Sequence, residues 1–327
     1  MLRFCIVGLC LAGLLVSCRS NRPDISNIEL NLEIQRLDRD IFNYTVDSLY
    51  SKYGIFLDYY TEGILDIGNC RDSSFLEYLE AFKTDSTVIK SRSDVEKQYP
   101  DLKKLTVSLT EALKYYHYYF PDRHIPKVYT YISGYNQSLM LTDSVLAIGL
   151  DKYLGANYEF YDSLQFNRYM SRNMYPEKIV SDFIETLTAS EWVFNTRKSN
   201  DLISKMLFEG KIFYAAKMIL PDAADSLIFG FTADQIRWCK NNEKTMWITL
   251  IEEKLLFSTN SFTIRQLTEL APFTSYFTKE SPGRACNWIG YNIIRKYMKN
   301  SPETSLRELM DNDDYHKIFE QAKYKPN

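Results

Sequence analysis

The segment KVYTYISGYNQSLMLTDSVLAIGLDKYLG, Lys127–Gly155, carries the clearest strand pattern in this 327-residue chain and decides its fold class. It contains two runs rich in the β-branched, aromatic and aliphatic residues that strands favour. The turn-forming residues 134–138 separate these runs. The pattern predicts a β-hairpin of Lys127–Ser133 with Leu139–Leu150.

The sequence before this hairpin predicts one more strand and several helices. Apolar residues alternate with polar ones from Ile28 to Gln35, which is the period of two of a half-buried strand. Residues 38–81 have helical spacing. A further amphipathic helix carries Leu102, Leu105, Leu109 and Leu113 on one face, and Pro121 ends it.

The sequence after Asp151 predicts helices joined by short loops. Their expected ranges are 176–194, 199–219, 232–257, 263–270, 282–299, 303–311 and 314–322. Ser281-Pro282 and the capping-box pair Ser305 and Glu308 mark two of the helix starts. We therefore predict an α+β fold, mostly helical, with a small N-terminal sheet and a hairpin followed by a helical C-terminal half. Residues 28–327 are expected to form a single domain.

Composition indicates a folded protein and argues against binding to nucleic acid. The chain is 45% hydrophobic and 15% aromatic, which is enough apolar material for a sizeable core. Its 39 basic and 42 acidic residues provide no basic footprint for nucleic acid.

The N-terminus, MLRFCIVGLCLAGLLVSC, predicts export. It has a basic residue at Arg3 and then an apolar run too short to span a bilayer with any margin. Leu15-Val16-Ser17-Cys18 matches the bacterial lipobox, in which the cysteine becomes the acylated first residue. We predict a lipoprotein signal peptide over residues 1–17 and lipidation of Cys18; an ordinary secretory signal or a membrane anchor is the alternative.

The residues after Cys18 predict where the protein is held. RSNRPDISN is polar and contains proline, so residues 18–27 are predicted to be a short tether. Arg19 is not the aspartate that commonly retains lipoproteins in an inner membrane, and no acidic run follows it. The expected location is the cell envelope, facing the periplasm, on the outer membrane.

Cysteine usage leaves two possibilities open. Cys70, Cys239 and Cys286 remain beside Cys18 after signal removal, and no metal-binding spacing exists among them. Widely spaced, buried cysteines are the favoured state, and one disulfide among the three is the alternative.

The histidines argue against a catalytic metal. Only His117, His124 and His316 are present, and Pro121 separates the first two, so they cannot share one continuous helix face. His316 is expected to be a solvated side chain in a polar helix. No GxSxG elbow or glycine-rich phosphate loop occurs. A pair of carboxylates acting across a cleft stays open as an alternative.

Several motifs, which occur in the same order along the chain, resemble those of the GldB-type gliding-motility lipoproteins of Bacteroidota. They are the lipobox, YISGYNQSLMLTDSVLAIGLDKYLG, ILPDAADSLIFGFTADQIRWCKNNEKTMW, EKLLFSTN and the tail SPGRACNWIGYNIIRKYM. The resemblance runs from about Leu30 to the end of the chain. It implies a lipid-anchored envelope protein associated with the motility and secretion apparatus, with no assigned catalytic residue.

A second resemblance, to predicted zinc proteases with an HExxH helix, is carried by YPEKIVSDFIETLTASEW, Tyr175–Trp192. IETLT falls on the HExxH positions, so Ile184 and Thr188 replace both histidines while Glu185 is kept. Glu209 occupies the position of the third metal ligand. Tyr291 is the tyrosine of the Gly-Tyr helix in that pattern. The resemblance implies a degenerate zincin-like architecture with a vestigial cleft of Glu185, Glu209 and Tyr291, without metal or cofactor.

The spacing within this helix also has a plain structural meaning. Ile179, Phe183 and Leu187 recur at four-residue steps, which predicts a helix that packs one apolar face on a core. Glu185 is then a residue at the rim of that face, or one hydrogen-bonded in the vestigial cleft.

Taken together, these patterns predict a non-enzymatic envelope lipoprotein that is anchored through Cys18 and binds proteins of the motility and secretion machinery. An envelope hydrolase with a carboxylate-based cleft is the alternative. A purely structural periplasmic protein without a role in motility is a third hypothesis.

Overall fold

The computed structural model describes residues 22–326. The predicted signal peptide of residues 1–17 and the predicted lipidation site Cys18 lie outside the described residues. The α+β class is confirmed: the described chain is mostly helical, with a four-stranded sheet built from its N-terminal half.

The sheet consists of β1 (Ile34–Arg36), β2 (Lys127–Tyr131), β3 (Leu139–Leu141) and β4 (Val145–Gly149), in the spatial order β1-β2-β4-β3. β1 and β4 both pair with β2 in parallel, and β3 pairs with β4 antiparallel. A sheet with two parallel pairs needs long connections between the paired strands. The helices between β1 and β2 provide one of them.

The predicted hairpin was assigned to the wrong strands. β2 and β4 run parallel, with Lys127 opposite Val145 and Tyr131 opposite Gly149. The true hairpin joins β3 to β4 through the turn 142–144, where Thr142 donates its backbone N–H to the carbonyl of Val145 at 2.8 Å. The predicted strand Leu139–Leu150 is therefore two strands, because Asp143-Ser144 forms a tight turn within it.

The predicted N-terminal strand forms only at its end. Ile28, Leu30 and Leu32 are half-buried, as the alternation predicts, but strand pairing begins at Ile34. The residues before it lie in a non-strand conformation, with Ile25, Leu30 and Leu32 packed against the main core.

The sheet separates two apolar layers. Val128, Leu146 and Ile148 face the main core, whereas Tyr129 and Tyr131 face a smaller cluster. Burial on both faces explains why β4 is apolar along its whole length, as buried parallel strands usually are.

The helices between β1 and β2 cover the two faces of the sheet. They are α1 (Leu37–Asn43), α2 (Val46–Tyr53), α3 (Ile55–Gly63), α4 (Phe75–Thr84), α5 (Ser86–Gln98) and α6 (Lys103–Tyr119). The first four form the smaller cluster with the sheet, and α5 and α6 belong to the main core. The amphipathic helix predicted around Leu109 and Leu113 is confirmed as α6, in which both residues are fully buried.

The C-terminal half is helical, as predicted, and forms most of the main core. Its helices are α7 (Glu159–Ser163), α8 (Arg168–Ser171), α9 (Ile179–Glu191), α10 (Leu202–Ile219), α11 (Asp225–Phe229), α12 (Ala233–Glu252), α13 (Ser261–Thr268), α14 (Ala285–Asn300), α15 (Leu306–Asp311) and α16 (Tyr315–Ala322). The short α7, α8 and α11 were not predicted, since four or five residues show too little periodicity.

The two predicted helix starts have different outcomes. The capping box of Ser305 and Glu308 is confirmed at α15. The predicted start at Ser281-Pro282 is wrong, because α14 begins after Arg284, whose φ of 55° is left-handed. Ser281 is instead fully buried, and its hydroxyl accepts the backbone N–H of Thr274 at 3.1 Å.

Among the described residues, Cys70, Cys239 and Cys286 are all free. Cys239 and Cys286 are fully buried, and burial raises the pKa of both thiols well above the ordinary value. The favoured state, free and buried, is therefore found for Cys239 and Cys286, whereas Cys70 is free but only half-buried.

A buried carboxylate shapes the connection between β2 and β3. Asp151 is fully buried and accepts the backbone N–H groups of Ser133 at 2.9 Å and Tyr135 at 2.7 Å. Tyr135 has a left-handed φ of 68°, which is unfavourable for a residue with a side chain. The bonds to Asp151 offset this strain and tie the loop to the segment that follows β4.

Asp151 gives the protein an unusual pH dependence. Burial raises the pKa of this carboxyl from 3.8 to about 6, despite the hydrogen bonds it accepts. The folded state therefore binds the proton more tightly than the unfolded chain between these values. The stability from this group is present at low pH and is lost as the pH rises through about 6.

We expect Asp151→Asn to destabilise the fold about 2 kcal/mol more at about pH 4.5 than at about pH 7. The asparagine cannot titrate, but its oxygen can take the place of Oδ2, which accepts both backbone N–H groups, while its NH₂ faces the Ser133 hydroxyl in place of Oδ1. Urea unfolding at the two pH values measures the difference. Asp143→Asn, at the exposed turn between β3 and β4, is the control. Equal destabilisation by Asp151→Asn at both pH values would contradict the prediction.

Candidate functional site

Helix α9 packs one face on the core and leaves a charged face beside β3. Ile179, Phe183 and Leu187 are buried, as their spacing predicted. Lys178, Asp182 and Glu185 follow one another at helical spacing on the side that lines a cavity. This cavity is the strongest candidate for a functional site near the predicted cleft.

The cavity, called here the α9 cavity, has a volume of about 620 Å³, in the range of sites that hold small molecules or peptide side chains. Its walls come from α9, from the residues just before and within β3, from the segment after β4 and from the 169–174 region. The charged lining residues are Lys152, Lys178, Asp182, Glu185 and Arg284. These are three cations and two carboxylates brought together from distant parts of the chain.

Asp182 is held by two donors. Lys178 contacts one carboxylate oxygen at 2.5 Å, and the Tyr153 hydroxyl donates to the other at 3.0 Å. Lys178 is itself buried and also donates to the Ser181 hydroxyl at 3.1 Å. Burial raises the pKa of the Asp182 carboxyl above its ordinary value, and the positive charge of Lys178 offsets only part of this shift. Asp182 is thus a half-buried carboxylate in a fixed position with one cationic neighbour.

Glu185 lies at the rim of the cavity in an ion pair. Its carboxylate is 3.3 Å from the guanidinium of Arg284, which also donates to the carbonyl of Phe229 at 3.0 Å. The same guanidinium lies 5.1 Å from the ring centroid of Phe213. Since Arg284 is fixed on three sides, Glu185 faces a permanent positive charge.

The two positions that replace the metal-binding histidines lie in the protein interior. Ile184 and Thr188 are both fully buried, and neither is among the residues lining the α9 cavity. Among residues 22–326, no group of three or more His, Cys, Asp or Glu side chains is placed to hold a metal ion.

The structure does not gather the three predicted cleft residues at one cavity. Only Glu185 lines it. Glu209 forms an ion pair with Lys205, four residues earlier on α10, at 2.5 Å. Tyr291 is largely buried among aromatic side chains, with its ring centroid 5.1 Å from that of Phe229 and 6.4 Å from that of Tyr214.

His316 is more than the solvated side chain that its sequence context predicted. Its Nε2 lies 2.7 Å from the Asp201 carboxylate, and its ring stacks on Phe257. It therefore ties α16 to the start of α10. His117 lies on α6 and His124 in the loop before β2.

The hydrogen-bond and ion-pair partners of the two α9 carboxylates could not be predicted from residue spacing. Arg284 is 99 positions from Glu185 in sequence, and Tyr153 is 29 positions from Asp182. The stripe of Lys178, Asp182 and Glu185 was the available signal. Charged residues at steps of four and three on an otherwise apolar helix mark a polar face next to a core.

Comparison with known proteins identifies one family. The family model described as gliding motility protein GldB matches residues 18–326. No curated protein and no solved structure matches the chain. The match covers almost the whole sequence and begins at Cys18, the predicted first residue of the mature protein.

Proposed function

Because the chain belongs to the GldB family of gliding motility proteins, we propose that it is a lipid-anchored envelope component of the motility and secretion apparatus. It acts by binding partner proteins and catalyses no reaction. The observation that carries this proposal is the family match, which runs from Cys18 to the end of the helical domain.

Anchoring through Cys18 places the domain at a membrane surface. No helix within residues 22–326 has both the length and the apolar character needed to cross a bilayer. An acylated Cys18 supplies the attachment instead, because each buried CH₂ of an acyl chain contributes about 0.8 kcal/mol to membrane binding. The expected side is the periplasmic face of the outer membrane.

The α9 cavity supports binding rather than catalysis. Its two carboxylates are each neutralised by a cation that the fold holds in place, Lys178 for Asp182 and Arg284 for Glu185. A group used as a base or a metal ligand must be free to exchange its proton or bind the ion. We propose that the cavity receives a polar side chain of an envelope partner.

One observation favours the alternative, an envelope hydrolase. Asp182 has a raised pKa, and Tyr153 donates to it within the same cavity that Glu185 lines. Two carboxylates in different environments can serve as acid and base. This alternative is tested together with the main proposal.

The two hypotheses predict different results for the variant Asp182→Asn/Glu185→Gln. In a gliding host that lacks its own family member, we expect this near-isosteric variant to restore motility, because the two amides can still hydrogen-bond a polar side chain of a partner but cannot act as an acid and a base. A matched variant, Asp47→Asn/Glu80→Gln, changes two carboxylates in the N-terminal helices α2 and α4. Loss of motility with normal protein level and membrane attachment would favour the hydrolase, as would stoichiometric zinc in the purified protein.

In-cell crosslinking tests the partner. A photoreactive residue at Thr186, in the wall of the α9 cavity, is expected to capture a motility or secretion component. The same residue at Leu76, which is 62% exposed on α4, is the control position. Capture of the same protein from both positions, or of an envelope complex unrelated to motility, would count against the proposal.

A further inference from the structure

A second cavity lies between α6 and the start of α9 and is called here the α6 cavity. It has a volume of about 420 Å³ and is bounded by α6, the start of α9 and the residues after α10. Its walls are mainly apolar; they include Leu105, Ala112, Val180, Leu220 and Leu227. Several of these side chains are only half-buried. An open apolar hollow of this size is costly in water unless something covers it.

The first described residue, Arg22, lies at the edge of this cavity. Arg22 makes a two-pronged contact with Asp222, at 2.7 and 2.8 Å, and Asp222 lines the cavity. Ile25 packs on the main core beside α6. The ion pair is exposed and contributes little energy by itself, but it places Arg22 beside the cavity. Part of the predicted tether, residues 22–27, therefore lies against the domain.

Chain length places Cys18 within reach of the α6 cavity. Three residues lie between Cys18 and Arg22, so their Cα atoms are four steps apart, and an extended chain spans at most about 3.6 Å per step, or roughly 14 Å in all. An acyl group on Cys18 would start near the opening.

The charged residues that line the α6 cavity disfavour lipids with a negatively charged head group. The charged lining residues include four carboxylates, Asp101, Glu111, Glu177 and Asp222, against Lys104, with Arg22 paired to one of them. A free fatty acid or a phospholipid would bring a negative head group to this acidic rim and be repelled. The amide- and ester-linked acyl chains of a lipidated cysteine carry no charge where they join the protein.

We propose that the α6 cavity takes up an acyl chain carried by Cys18. This inference rests on the lipid anchor in the proposed function and adds an intramolecular site for part of that anchor. With one acyl chain in the cavity, the α6 side of the domain would face the lipidated Cys18. The remaining chains stay in the bilayer and keep the protein attached.

The test uses the full chain, purified from cells fed a fatty acid that carries a photoreactive diazirine. After reconstitution in lipid nanodiscs and irradiation, peptide mass spectrometry locates the crosslinks. We expect the Cys18 peptide to be joined, through its acyl chain, to peptides from α6, from the start of α9 or from residues 219–227. Crosslinks from Cys18 to bilayer lipid alone, or cavity peptides joined to phospholipid or to another protein, would overturn the proposal.

Two matched variants exclude a nonspecific crosslink. Leu105→Trp fills the cavity from α6, and Val107→Trp adds the same group two positions along the helix, where the side chain is 68% exposed. We expect the crosslink to be lost in Leu105→Trp and kept in Val107→Trp. Leu227→Trp fills the cavity from another wall, so a folding defect in one variant cannot mimic the result. An unchanged crosslink in both filled variants would overturn the proposal.

The outcome for the anchor is read separately. Protein that carries no diazirine label refutes the lipid anchor and the inference with it. Labelled protein without a cavity crosslink refutes the inference and leaves the anchor in place.

Discussion

Replacing Gly290 with alanine is expected to lower the free energy of unfolding by about 3 kcal/mol, at the upper end of the usual cost of overpacking a core. A Cβ at this position would lie 1.9 Å from the carbonyl oxygen of Met206. Gly210 faces the same crossing, and its Cβ would lie 2.4 Å from the backbone carbon of Gly290. The obstacle is backbone on both sides, so α10 and α14 must move apart.

This effect opposes the intrinsic preference of helices. Alanine is favoured over glycine inside a helix by about 1 kcal/mol, so an isolated α14 would be stabilised by the same change. Gly63→Ala is the matched control, because Gly63 ends α3 and its Cβ would meet only the Met140 side chain at 3.7 Å. Urea unfolding should show Gly290→Ala less stable and Gly63→Ala unchanged or slightly more stable. Equal stability of Gly290→Ala and the unaltered protein would contradict the close crossing.

Cys18→Ala is expected to abolish fatty-acid labelling and to release the protein from the membrane fraction. The proposed attachment depends on acyl chains on that one sulfur and amine. The described residues contain no helix fit to cross a bilayer that could replace it. Radiolabelled palmitate and fractionation of cell envelopes measure both effects.

Cys10→Ala is the control for this prediction. Cys10 lies in the apolar run of the same N-terminus, but it is eight positions before the lipobox cysteine, so labelling should persist. Labelling that survives in Cys18→Ala, or is lost in Cys10→Ala, would place the modification elsewhere.

The helices were predictable because their signals are local. Ile179, Phe183 and Leu187 are spaced to share one helix face, and all three are buried on the core. The capping box of Ser305 and Glu308 was visible for the same reason, since both residues lie within one helical turn. Each signal depends on neighbours three or four positions away.

The sheet was only partly predictable. The strand-forming residues between 127 and 149 are correctly placed, but their pairing is not, because β2 joins β4 in parallel. Strand periodicity is the same in parallel and antiparallel pairs. The loop between β2 and β3 is held by Asp151, whose bonds to Ser133 and Tyr135 span 18 and 16 positions.

The candidate site depends on contacts between residues that are distant in the sequence. Sequence resemblance pointed to Glu185, Glu209 and Tyr291 as one cleft, and the structure places only Glu185 at the α9 cavity. Glu209 is paired within its own helix with Lys205. The ion-pair partner of Glu185 is Arg284, which lies 99 positions away in sequence, immediately before α14.

The sequence by itself determined the family, the mostly helical α+β class and the positions of the longer helices. These follow from residue order and from spacings within a few helical turns. Only the tertiary structure decided the parallel pairing of β2 with β4, the ion pairs of the α9 cavity and the approach of Arg22 to the α6 cavity. Each of these joins residues distant in the chain, and such contacts depend on how whole elements pack rather than on the periodicity of any one of them.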